Sequence, residues 1–264
     1  MLRYSLLLIL LFSTIFQSHA ESLKIVCHEF APFSYEDENH NVTGILVEIT
    51  RQACKSWEHS CDIELLPNKR AKQVFHSGLA EGHFLGWNAE RANSIWFSVP
   101  LLETEYGFYT LKHKEVKTIN QLAGKNIGVF APSNTYQSLL DIDKRVQQSG
   151  MPAMHIYQFN SANEQPLKML SIERFDAYFV NRDVGAFYAH QLGLNGLDYL
   201  GSEDKIHYFL GFKMRYNNYD IIKSFNHHLD TLLRQGEFDT LYKQWKMQPP
   251  SLPQSEYSPL NIPF

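Results

Sequence analysis

Short apolar runs of strand length alternate with helix-patterned segments along most of this chain, and that alternation confines it to the α/β class with mainly parallel sheets. The clearest helix follows Gly44, where Ile45, Ile49, Ala53 and Trp57 recur every four residues and give one apolar face. Cys61 to Leu66 reads as a strand, Asn68 to His76 as a helix and Gly82 to Trp87 as a central strand. Glu103 to Leu111, with Tyr106, Phe108 and Tyr109, reads as a long strand leaving this first unit. The charged stretch His113 to Lys117 marks a surface boundary, after which the alternation restarts. Strands are expected over Asn126–Phe130, His155–Phe159 and Asp176–Val180, with a helix running from Ser133 towards Gln148. Ile206 to Lys213 reads as a return strand, followed by helices over Ile221–Leu233 and Phe238–Trp245; the proline-rich tail from Pro249 to Phe264 is expected to lie extended over the surface. A chain that leaves one lobe, completes a second and comes back has two connecting strands, a layout suited to hinge closure on a ligand.

Residues 1–20 combine Arg3, an apolar run from Leu6 to Phe16 and the small-residue end Ser18-His19-Ala20, the pattern of a cleaved secretory signal peptide. The run falls short of the roughly 20 residues that span a bilayer. The formal net charge of −4 supplies no field for gathering nucleic acid, which excludes that class of partner. Export makes a disulfide reasonable, and the end of one helix and the start of the next strand bring Cys54 and Cys61 into range of each other. Cys27, inside a strand pattern, reads as a buried core residue.

Small ligands of α/β folds bind beyond the carboxyl ends of the strands, so the residues just past each strand are the candidates. They are Phe33 and Tyr35, Asn68 and Arg70, Asn88 and Arg91, Ser133, Asn134 and Thr135, and Asn181 with Arg182. Aromatic rings supply walls, arginines neutralise an acid, and a helix N-terminus at Ser133 either caps itself or presents N–H groups to an anion. Trp87 beside Asn88 reads either as a stacking ring or as core. His227, His228 and Asp230 point in different directions from one helix and read as a solvated face. The chain has no HExxH, no G-x-S-x-G and no phosphate-cradling loop, and no metal or cofactor is expected.

Ala31-Pro-Phe-Ser-Tyr35 with Thr43-Gly44, Ser77-Gly78, Glu81-Gly82, Glu90-Arg91, Phe97-Ser98 with Pro100, Leu122 to Val129 and Gly236 to Trp245 occur in the order seen in the bacterial extracellular solute-binding proteins, family 3, which the chain resembles. The resemblance implies a two-lobe periplasmic-binding-protein fold of type II, each lobe a mainly parallel sheet flanked by helices and joined by two hinge strands. The expected organisation is a signal peptide over 1–20, the first part of lobe one over 21–111, lobe two over 112–208, and a return to lobe one with the C-terminal helices over 209–264. By the same resemblance Arg91 clamps a ligand carboxylate and the Ser133–Thr135 turn faces an anion. The family's amino-acid binders place an acid after the lobe-two strand to hold the ligand ammonium, and this chain has Asn181 there. Asp183, two residues on, is the alternative acid.

These features lead us to expect a monomeric periplasmic protein that captures a small polar or acidic, amino-acid-like metabolite and delivers it to an inner-membrane ABC permease. A ligand-sensing module for a membrane receptor is the alternative. An enzyme resembling a periplasmic dehydratase, with Glu36 or Asp183 as acid, is the remaining one and is not favoured, because fold analogy alone says little about chemistry.

Overall fold

The computed structural model describes residues 22–57, 59–215 and 218–264; the signal peptide expected over 1–20 lies outside them. The chain first forms β1 (Leu23–Cys27), β2 (Tyr35–Glu36), β3 (Val42–Thr43), α1 (Ile45–Lys55), β4 (Cys61–Leu65), α2 (Asn68–His76), β5 (Gly82–Gly86), α3 (Ala89–Ala92), β6 (Ile95–Phe97) and β7 (Leu102–Leu111). It continues through β8 (Asn126–Phe130), α4 (Asn134–Gln148), β9 (His155–Phe159), α5 (Gln165–Ser171), β10 (Ala177–Asn181), α6 (Arg182–Gln191), β11 (Leu197–Lys213), α7 (Tyr219–Arg234) and α8 (Asp239–Trp245).

β4, β1 and β5 pair in parallel at one end of the sheet, and β10, β8 and β9 at the other. Between them run two long antiparallel strands, giving the order β4-β1-β5-β11-β7-β10-β8-β9 with β6 added on β11. β11 pairs β5 through Tyr208–Phe212 and β7 through Leu197–Tyr208, while β7 also pairs β10. The central strands are thus shared by both parallel ends, and the boundary expected at residue 208 falls inside β11. The type II periplasmic-binding-protein architecture is present, with the two parallel sets fused through these crossing strands into one mixed sheet.

α1 shows why the local sequence folds as it does. Ile45, Ile49 and Ala53 are fully buried, each large side chain contributing about 1.5–3 kcal/mol of apolar burial. Gly44 ahead of it has φ 116°, and a Cβ there would stand 2.5 Å from the Phe33 carbonyl oxygen, so no other residue fits the turn. The helix ends at Lys55, and Trp57, read as its next apolar position, packs edge-on against Phe225 of α7 at 5.0 Å. Cys54 and Cys61 form the expected disulfide between α1 and β4. Cys27 is fully buried, its thiol pushed up to about 12 by burial and donating to the Glu64 carbonyl at 3.6 Å.

Two readings need correction. The tail does not lie extended over the surface: Tyr257 and Ile262 are buried, and the Asn261 carbonyl accepts from the Phe97 N–H at 2.9 Å. Asn226, fully buried in α7, accepts from the Val99 N–H at 2.9 Å and donates to the carbonyls of Phe97 at 3.1 Å and Pro263 at 2.7 Å. The tail is thereby a packed part of the first parallel set. The return strand also begins at Leu197, nine residues before Ile206, because its first half pairs β7.

Candidate functional site

The carboxyl ends of β1, β5, β8 and β10 and one face of α2 converge on one chamber of about 140 Å³. That is close to the roughly 150 Å³ of a cavity that holds a benzene ring, so the chamber suits a compact ligand. Phe30, Phe75 and Tyr208 give apolar walls, and Phe33, fully buried, packs behind them at 5.1 Å from Phe30 and 4.8 Å from Tyr208. Tyr35 lies away from the chamber, against Phe187 at 5.4 Å and Trp245 at 6.3 Å.

Arg91 lines the chamber from the turn after β5. Asn88 caps α3 by accepting from the Arg91 N–H at 2.8 Å, and the short helix turns the guanidinium back so that Nη1 donates to the Gly86 carbonyl at 2.6 Å. Burial lowers the guanidinium pKa, and no acidic side chain is paired with it. Opposite, Ser133 caps α4, accepting from the Tyr136 N–H at 3.0 Å and donating to the Phe130 carbonyl at 2.6 Å. Asn134 crosses the gap: its Oδ1 accepts from Asn88 Nδ2 at 3.1 Å and its Nδ2 donates to the Trp87 carbonyl at 3.3 Å. Thr135, Tyr106 and Tyr208 join their hydroxyls along the floor. Asn88 itself faces an adjoining cavity with Trp87, whose indole N–H is buried without a partner.

Asn181 lines the chamber, 1% exposed, with its amide committed to the protein. Its oxygen accepts from the N–H groups of Asp183 at 2.9 Å and Val184 at 3.2 Å, capping α6, and its nitrogen donates to Thr104 at 3.2 Å. Arg182 and Asp183 do not line the chamber. Arg182 pairs with Asp183 at 3.3 Å and Glu105 at 3.4 Å, and the Thr104 hydroxyl donates to Asp183 at 2.5 Å. Glu36 is exposed and paired with His40 at 2.7 Å.

Arg70 is exposed on α2 and does not reach the chamber. The helix period explains it: Asn68, Lys72, Phe75 and His76 share the face that lines the site, whereas Arg70 lies about 200° around the helix from Asn68. Lys72 at the rim has its pKa lowered by burial and by Arg91. Sequence reasoning also missed His28, His76 and His83, treated as scattered histidines. His83, 4% exposed, makes a 2.8 Å hydrogen bond through Nδ1 to the Val26 carbonyl; burial lowers its pKa to about 4, and that of His28 beside it to about 3. The rings lie 5.5 Å apart. The i, i+4 spacing of Asn68, Lys72 and His76 was the sequence signal for this face. His28, just past β1, and His83, in β5, come from separate segments and gave none.

The chamber therefore carries Arg91 and Lys72, three histidines and no acidic side chain among the described residues. It can hold an anion. No group of histidine, cysteine and acidic side chains suited to a metal occurs among the described residues.

An arginine-binding periplasmic protein of Mannheimia haemolytica is 24% identical over 249 residues, covering 90% of this chain and 97% of that protein. A histidine kinase sensor domain similar to periplasmic binding proteins superposes with a TM-score of 0.75 at 15% identity over 88% of this chain and 99% of its own. A Streptococcus pneumoniae substrate-binding protein of an ABC uptake transporter, with bound histidine, gives 0.74 at 16% identity over 88% and 95%. The sequence model of the bacterial extracellular solute-binding proteins, family 3, matches residues 23–248, and the chain belongs to that family of solute-binding proteins.

Proposed function

We propose that this protein captures a compact acidic metabolite between two lobes and hands it to an ABC importer in the inner membrane. The observation that carries the reading is Arg91, a half-buried guanidinium whose hydrogen bond goes to a carbonyl and which has no paired acid, in a chamber without acidic side chains. A partly desolvated cation without a paired acid is costly, and a ligand carboxylate held by the guanidinium fork offsets that cost. The Ser133–Thr135 end of α4 lies across the chamber and favours the same sign of charge.

The proposed lobes are residues 21–111 with 209–264, and residues 112–208, moving about β7 and β11. The reading puts the mature chain in the periplasm as a monomer, freed of residues 1–20; the Cys54–Cys61 disulfide supports an oxidising compartment. Binding without chemistry is the proposed activity, since neither Glu36 nor Asp183 lines the chamber.

The test is a thermal-shift screen of protein refolded free of ligand, using small carboxylates, amino acids, polyamines and sugars. A ligand at a hundred times its Kd should add about 2.7 kcal/mol of stability. Acids are expected to stabilise, and Arg91→Gln to abolish the shift. Stabilisation by polyamines or sugars alone would refute the reading.

A further inference from the structure

We propose that the ligand is a compact dicarboxylate without an ammonium group, one carboxylate held by Arg91 and the other by Lys72. This rests on the acid-binding reading above and names the ligand class. Lys72 stands on the face of α2 that lines the chamber, and Arg91 lines it from the turn after β5. Neither side chain is paired with an acidic group, and the two repel each other through the space between them. Two like charges beside one chamber, Arg91 half-buried and Lys72 exposed at its rim, are stabilised by a ligand that brings two opposite ones.

The same lining argues against an ammonium. A ligand ammonium is held most strongly by an acceptor that carries charge, and the chamber has no acidic side chain. At the strand end where an acid would serve, the Asn181 oxygen already accepts two backbone N–H groups, leaving only an amide hydrogen to offer. Asp183 is turned away and held by Thr104 and Arg182. His28 and His83 are neutral near pH 7, and their further protonation would favour anions still more. The volume of about 140 Å³ suits a skeleton of a few carbons.

The experiment is isothermal titration of the refolded protein with matched probes: malonate and succinate, propionate and butyrate, aspartate and glutamate, and inorganic phosphate. The expected result is that malonate or succinate binds at least about tenfold more tightly than the monocarboxylate of the same length, and at least about tenfold more tightly than aspartate or glutamate. Lys72→Met should bring the dicarboxylate to monocarboxylate affinity ratio towards one, and Lys72→Arg should restore it. Equal or tighter binding of aspartate or glutamate overturns the proposal. So does a ratio unchanged by Lys72→Met, or tight phosphate binding with no preference for dicarboxylates. In each of those cases Arg91-dependent acid binding survives and the broader reading stands. If no acid binds, both fail together.

Discussion

His83 should impose an acid limit on the ligand-free protein. Its imidazole titrates at about 4 in the folded chain against an ordinary 6.5, chiefly because it is buried, with Arg91, Lys72 and His76 adding repulsion and the Val26 carbonyl acting in the opposite sense. His28, just past the end of β1, faces it as well. The folded value lies below the unfolded one, so between pH 6.5 and about 4 the unfolded chain binds the extra proton. The stabilisation is full above pH 6.5 and is lost as pH falls through the folded value. At about 1.36 kcal/mol per pH unit, the 6.5 to 4 window is worth about 3 kcal/mol. The perturbation is His83→Asn, whose amide nitrogen can keep the hydrogen bond to the Val26 carbonyl without a titrating ring. Urea unfolding across this pH range gives the stability of both proteins. The variant is expected to lose about 3 kcal/mol less than the parent between neutral and acid pH, whatever its stability at neutral pH. Parallel pH profiles for the two proteins would refute the reasoning. A bound acid beside Arg91 should raise the folded value and so shrink the parent's acid loss, since an anion favours the protonated imidazole.

Other outcomes follow from single contacts. Replacing Cys54 and Cys61 together by serine should cost about 2 kcal/mol, because the bridge closes only a short loop, and urea midpoints with and without reductant will show it. Asn226→Ala leaves the Val99 N–H and the carbonyls of Phe97 and Pro263 without their partner; at about 1–3 kcal/mol for each unpaired buried group, a loss of at least about 3 kcal/mol is expected, with proteolysis beginning in the C-terminal tail. Asn181→Asp keeps the cap on α6 and adds a carboxylate to the chamber wall, so titrations should show amino acids gaining at least about tenfold relative to the matching acids.

Where apolar period and flanking turn residues agreed, the sequence was readable almost to the residue. Asn126–Phe130, His155–Phe159 and Asn68–His76 stand where the pattern put them, because each packs one face on its neighbours. α6 was missed because Asn181 and Arg182 look like loop residues; only the fold shows Asn181 capping a helix. The tail was misread because its prolines suggest exposure, while Tyr257 and Ile262 are anchors whose socket is formed by distant residues. Of the site, Arg91, Ser133 to Thr135 and Asn181 were legible as the ends of strands. Lys72 needed the phase of α2 rather than its position after a strand. His28 and His83 meet only because β1 and β5 are neighbours, a pairing that no local pattern encodes.

The route of the chain also sets the order in which its parts can be completed. β6 finds its strand partner, and β5 its second one beside β1, only when Gly211 and its neighbours in β11 arrive, α1 rests on α7 and α8, and Phe97 waits for Asn261. During synthesis the segment carrying Arg91 therefore emerges early and must remain open, with its apolar surfaces uncovered, until the end of the chain is delivered. A chain drawn N-terminus first through a narrow channel would benefit from that delay, since its leading part cannot lock into shape before the trailing part has passed.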